Sequence, residues 1–129
     1  MATGYGISKT VDAPFADTVA RTREALNGEG FGVLCDIDVK ATMKQKLGVD
    51  RDDYLILGAC NPPLAHRALE AENEVGLLLP CNVIVYAAGG GTTVSAIDPA
   101  VMLGMIDNPA LADVATEVRQ RLERVIAQV

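Results

Sequence analysis

The chain has 129 residues, half of them hydrophobic, 22% charged and only 4% aromatic, with no tryptophan. That length suits one domain able to bury its own core without metals or disulfides, and the composition excludes a disordered chain. A net charge of −6, from 11 basic and 17 acidic residues, argues against nucleic acid or an anionic membrane as partner, because both select clustered Lys and Arg. The densest basic stretch, Arg119 to Arg124, is diluted by Glu117 and Glu123.

The opening residues, Met1 to Thr10, are polar and glycine-rich and do not read as a secretory leader. The most apolar stretch, Val75 to Ala88, is broken by Pro80 and Asn82 and is shorter than the roughly 20 residues a membrane helix needs. The three cysteines are an odd number without CxxC spacing. The expectation is a cytoplasmic protein with reduced thiols and no zinc site of standard spacing.

Along the chain, residues 3–11 read as a first strand with Tyr5, Ile7 and Val11 on one face. Pro14 suits the start of a helix that runs to about Asn27 with Phe15, Val19 and Leu26 inward, stopped by Gly28 and Gly30. Phe31, Val33, Cys35 and Ile37 alternate with other residues as a second strand, and that face reads as buried. Val39, Met43 and Leu47 recur every four residues as a short helix ended by Gly48, with Lys40, Lys44 and Lys46 on a solvated face.

Tyr54 to Cys60 reads as a third, buried strand, and Asn61-Pro62 as the cap and first position of the next helix. Asn82 to Ala87 and Thr92 to Ile97 are strands joined through Gly89-Gly90-Gly91 as a hairpin. Asp98-Pro99 opens a short helix reaching about Met105, and Asn108-Pro109 a long one with Leu111, Val114, Val118, Leu122 and Val125 on one side. Strands and helices mix without strict alternation, and the hairpin is antiparallel. The expected fold is a single α+β domain over residues 1–129. It is a two-layer sandwich, a mostly antiparallel sheet of about five strands with helices packed on one face.

The run Ile56-Leu57-Gly58-Ala59-Cys60-Asn61-Pro62-Pro63-Leu64-Ala65, followed by Gly76-Leu77-Leu78-Leu79-Pro80-Cys81-Asn82-Val83-Ile84-Val85, resembles the central signature of the domain-of-unknown-function 302 family. Gly30-Phe31-Gly32-Val33 is similar to that family as well. The resemblance spans nearly the whole chain. It implies a fold like the TATA-binding protein's half-repeat and a homodimer, and it carries no activity or cofactor with it. Fold alone does not bring nucleic-acid binding. One departure is Ala87-Ala88 after Tyr86, where the family pattern leads one to expect an acidic residue.

The candidate site gathers around the two Cys-Asn pairs: Cys60, Asn61, His66, Pro80, Cys81 and Asn82. Cys60 precedes a helix N-terminus, where unpaired N–H groups and the helix dipole favour a thiolate. It is therefore the expected most reactive thiol. Asn61 is expected to cap its helix, whereas Asn82 in a strand is harder to explain by propensity and is a candidate ligand donor. Cys60, His66 and Cys81 are acceptable zinc ligands in type, but their spacing fits no standard site, and no metal is expected. The triple glycine lacks the Lys-Ser/Thr of a phosphate loop. Asp36 and Asp38 read as caps or solvated groups rather than as an acid–base pair.

Two functional readings remain, beside a purely structural one. The first is a small-ligand binding or sensing domain, a homodimer without chemistry of its own, with a pocket lined by the residues above. The second is a thiol enzyme or redox protein using Cys60 and Cys81. The structural reading is a dimerisation module whose signature serves packing.

Overall fold

The computed structural model describes residues 3–129. In chain order the elements are β1 (Gly6–Val11), α1 (Phe15–Gly28), β2 (Gly32–Asp38), α2 (Val39–Leu47), β3 (Tyr54–Cys60), α3 (Pro62–Ala71), a 3₁₀ segment (Asn73–Leu78), β4 (Cys81–Ala88), β5 (Gly91–Ile97), α4 (Pro99–Leu103) and α5 (Ala110–Gln128). The strands form one sheet in the order β1-β5-β4-β3-β2, with every neighbouring pair antiparallel. This is the α+β two-layer sandwich the sequence leads one to expect. Among the described residues no helix is long and apolar enough to cross a membrane.

Strand alternation assigns the two faces. Leu57 and Ala59 of β3, Cys81, Val83 and Val85 of β4, and Val94 and Ala96 of β5 point to the helices and form the core. Each fully buried aliphatic side chain contributes about 1.5–3 kcal/mol relative to exposure. The long helix α5 answers with Leu111, Val114, Val118, Leu122 and Val125, all buried as their spacing predicts. Lys9 of β1 ties down its end: the Nζ donates to the carbonyls of Val129 at 2.8 Å and Ala127 at 3.3 Å. Those carbonyls would otherwise lack helical partners, and a cation there also suits the helix dipole.

β4 and β5 meet through a two-residue turn, Gly89-Gly90, with φ of 56° and 84°. A turn with both central residues at positive φ matches the twist of antiparallel strands. Gly91 already belongs to β5, and a Cβ there would lie 2.9 Å from the carbonyl of Val11.

One sequence expectation is extended and two are corrected. In α1, Leu26 is buried and Phe15 and Val19 pack half-buried against the core, as expected; Thr18, Thr22 and Ala25 complete the stripe. Threonine can sit there because each hydroxyl donates to the carbonyl four residues back, Pro14 at 3.0 Å and Thr18 at 2.7 Å, leaving its methyl to pack. Tyr5 lies ahead of β1 rather than within it and is exposed.

The second correction concerns β2. Its ladder with β3 shifts register between Val33 and Cys35. The extra residue, Leu34, flips the alternation. Val33 pairs with core-facing Ala59, while Cys35 pairs with Gly58 on the opposite face. Cys35 and Ile37 are therefore exposed, not buried.

Candidate functional site

Cys60 ends β3 and Cys81 begins β4, so both lie at one end of the sheet. Ala59 pairs directly with Cys81, which sets Cys60 one position diagonal to it. Both thiols, with Asn61 and Pro80, line a cavity of about 30 Å³ that Leu64, Met102 and Val118 also line. That volume is on the scale of a single water molecule. Burial first, and then the neighbouring Cys60, push the Cys81 thiol from 9.0 up to about 11. At neutral pH Cys81 is an uncharged, buried thiol.

Asn61 caps α3 as expected: its Oδ1 accepts from the Leu64 N–H at 3.4 Å. Its Nδ2 donates to the Glu29 carbonyl at 3.4 Å, which also accepts from Arg121 Nη1 at 2.9 Å. Glu29 opens the turn after α1, where Gly30 has φ of 84°; a Cβ on Gly30 would lie 3.1 Å from Asn61 Nδ2. Asn61 thus pins the exit of α1 to the start of α3. Gly58, another signature residue, leaves room for two neighbours, since a Cβ there would meet Cys35 Sγ at 2.9 Å and Pro80 Cγ at 3.1 Å.

The remaining sequence candidates part from this group. His66 lies on the solvent side of α3, 73% exposed, with Glu70 Oε1 at 4.0 Å, and it is absent from the cavity lining. Position Pro62 + 4 on a helix whose buried residues are Leu64 and Ala68 turns it outward. Among the described residues no three His, Cys, Asp or Glu side chains converge on a metal position, so the Cys60/His66/Cys81 set is not assembled. Asn82 is exposed on the uncovered sheet face, because the residue after helix-facing Cys81 must point the other way.

That uncovered face holds the larger concavity, about 600 Å³, which sequence reading missed. Cross-strand pairing builds it. Tyr54 of β3 pairs with Tyr86 of β4, their rings stacked with centroids 5.4 Å apart. Tyr86 in turn faces Thr93, whose hydroxyl is 2.9 Å from that of Thr10. In the next row Ser95 and Ser8 bring hydroxyls to 2.6 Å. Tyr5 and Ile84 complete the wall, and no lining residue is charged. The signal was present in period-two form: Ser8/Thr10 and Thr93/Ser95 alternate with core-facing residues.

A five-stranded antiparallel sheet with helices on one face and paired Cys-Asn segments at one sheet end defines a class of small α+β domain. The chain matches the family described as domain of unknown function DUF302 over residues 7–129, and it belongs to that family. A solved relative, an uncharacterized conserved DUF302 protein from Bacillus stearothermophilus, is similar at 32% identity and a TM-score of 0.91, with 98% of each chain covered. Among curated proteins, none matches.

Proposed function

We propose that the chain is a small-ligand binding or sensing domain without chemistry of its own, and that its ligand is uncharged and sits on the open sheet face. The observation that carries this reading is the concavity of about 600 Å³ lined by tyrosines and hydroxyls. Its volume falls within the roughly 300–1,000 Å³ typical of ligand pockets. Stacked rings offer a flat apolar surface. Each hydroxyl pair retains one O–H and several lone pairs for a guest. The lining side chains themselves carry no charge to pair with an ion, and the nearby Arg51 is engaged over the Tyr54 ring, 5.3 Å from its centroid, so desolvating an ion there is costly.

The cavity at Cys60 and Cys81, where the sequence placed the pocket, supports a ligand poorly because of its volume. The thiol-enzyme reading is disfavoured by the raised Cys81 pKa and by His66 facing solvent away from Cys60. Nucleic acid is not the proposed guest, since the lining offers no Lys or Arg to phosphates.

Native mass spectrometry of protein taken gently from cells tests the proposal. A retained uncharged small molecule that disappears in Tyr86→Ala is the expected result. A bare mass, combined with no NMR shift change at Tyr54, Tyr86 or Thr93 across a library of neutral aromatic and hydroxylated compounds, would overturn it.

A further inference from the structure

The hollow on the open sheet face does not end at Ser95. A second concavity of about 130 Å³ shares Tyr5, Ile84 and Ser95 with it and continues to Gly6, Asn82 and Ile97. The two form one trough. Asn82, Ile84 and Tyr86 alternate with buried residues along β4 and stand on the same face. At about 3.3 Å per residue, the four steps from Tyr86 to Asn82 span about 13 Å. Gly6, opposite Ile97, adds no side chain to the floor at the Asn82 end.

The chemistry changes along that length. Tyr86 turns one ring face to Tyr54, at an interplanar angle of 14°, and keeps the other for a guest ring. Ile84 gives the middle an apolar floor. Asn82 ends the trough with the one carboxamide among the described lining residues. Asn61 and Asn108 spend their amides inside the fold, the first on Leu64 and Glu29, the second on Ala71 and Ala110. Asn82 makes no such bond among the described residues, and it is exposed.

We propose that Asn82 is the specificity-determining residue of this site. Its ligand is an elongated neutral molecule with an aromatic ring over Tyr86 and a carboxamide, or the edge of a cyclic amide, on Asn82. An asparagine amide presents a donor and an acceptor side by side, and a second amide answers both at once. None of the described lining residues is Lys, Arg, Asp or Glu, so a carboxylate or ammonium group would lose its water there without an opposite charge in the lining. The role also accounts for an asparagine at a strand position that propensity disfavours.

This inference rests on the ligand reading above. NMR titration of the full chain with three probes tests it: 4-phenylbutanamide, which carries a ring and a carboxamide; 4-phenylbutanoate, of the same length but charged; and benzyl alcohol, which has the ring alone. The carboxamide is expected to shift the Tyr86 backbone amide and the Asn82 side-chain amide together. It should bind about 10-fold more tightly than either other probe. Asn82→Ala, an exposed change that leaves the core intact, should weaken it about 10-fold and leave benzyl alcohol unaffected. If benzyl alcohol shifts Tyr86 but the carboxamide binds no better, moves no Asn82 signal or ignores Asn82→Ala, this inference falls and the ligand reading stands. Equal binding of 4-phenylbutanoate would overturn the neutral amide as the ligand class. No shift at Tyr54, Tyr86 or Thr93 with any probe would overturn both readings.

Discussion

The two Cys-Asn pairs read alike in sequence and sit in opposite settings. Cys60-Asn61 closes a strand and opens a helix: its asparagine is buried, caps α3 and holds the turn after α1. Cys81-Asn82 opens a strand, so the pleat sends its cysteine into the core and its asparagine to the uncovered face. A residue's role here follows from the element its backbone belongs to. The same dipeptide is a clasp in one place and, in the other, half core and half surface.

The largest expected effect that would break this comparison is in thiol labelling. With a pKa pushed up to about 11, Cys81 holds about one hundredth of the thiolate of an ordinary thiol and should alkylate at least about 100-fold more slowly than free cysteine. Exposed Cys35 is expected to label first and half-buried Cys60 second, as read by mass-mapped alkylation at neutral pH. Fast labelling of Cys81 in the folded protein would dissolve the contrast between the pairs. This order differs from the one based on the helix terminus because the Leu34 bulge puts Cys35 in solvent; labelling of Cys60 ahead of Cys35 would restore the helix-terminus order.

Next in size is Gly58→Val. The new side chain must displace Cys35 Sγ and the Pro80 ring, and overpacking of this kind costs about 3 kcal/mol. Urea unfolding should show the midpoint fall; an unchanged midpoint would mean that the strand ends are looser than their packing implies. The smallest and sharpest test sets the asparagines against each other. Asn61→Ala should cost about 1–2 kcal/mol through the lost cap and the lost clasp on Glu29. Asn82→Ala, on an exposed site, should stay within about 0.5 kcal/mol. Equal losses would refute the difference in setting.

Much of the fold was legible because the patterns were strong. The α5 stripe, the Asn61-Pro62 helix start and the glycine turn each carry a signal that local chemistry determines. The parity of β2 was not legible, since one bulged residue moves Cys35 and Ile37 across the sheet and leaves no mark in the sequence. The threonines of α1 were missed because hydropathy counts a hydroxyl that the helix itself satisfies. The site was half legible. Cys60, Asn61, Pro80 and Cys81 do meet at one cavity, while His66 and Asn82 depart by helix angle and by pleat. The tyrosine–hydroxyl concavity needs the cross-strand register, which sets Tyr54 beside Tyr86 although 31 positions lie between them in the chain.

The strand order has a consequence for biosynthesis. Three of the four ladders join strands that are consecutive in the chain, but β1 pairs only with β5, Ser8 opposite Ser95 at a separation of 87 residues. A ribosome adding about 5–20 residues per second exposes β1 for several seconds or more before its partner strand exists. During that wait its backbone donors and acceptors stay in water, and α1 can lie only on the strands already made, β2 and β4, and not yet on β5. The sheet's first strand is thus its last to be seated, and Lys9 can grip the end of α5 only after residues 127 and 129 have been made.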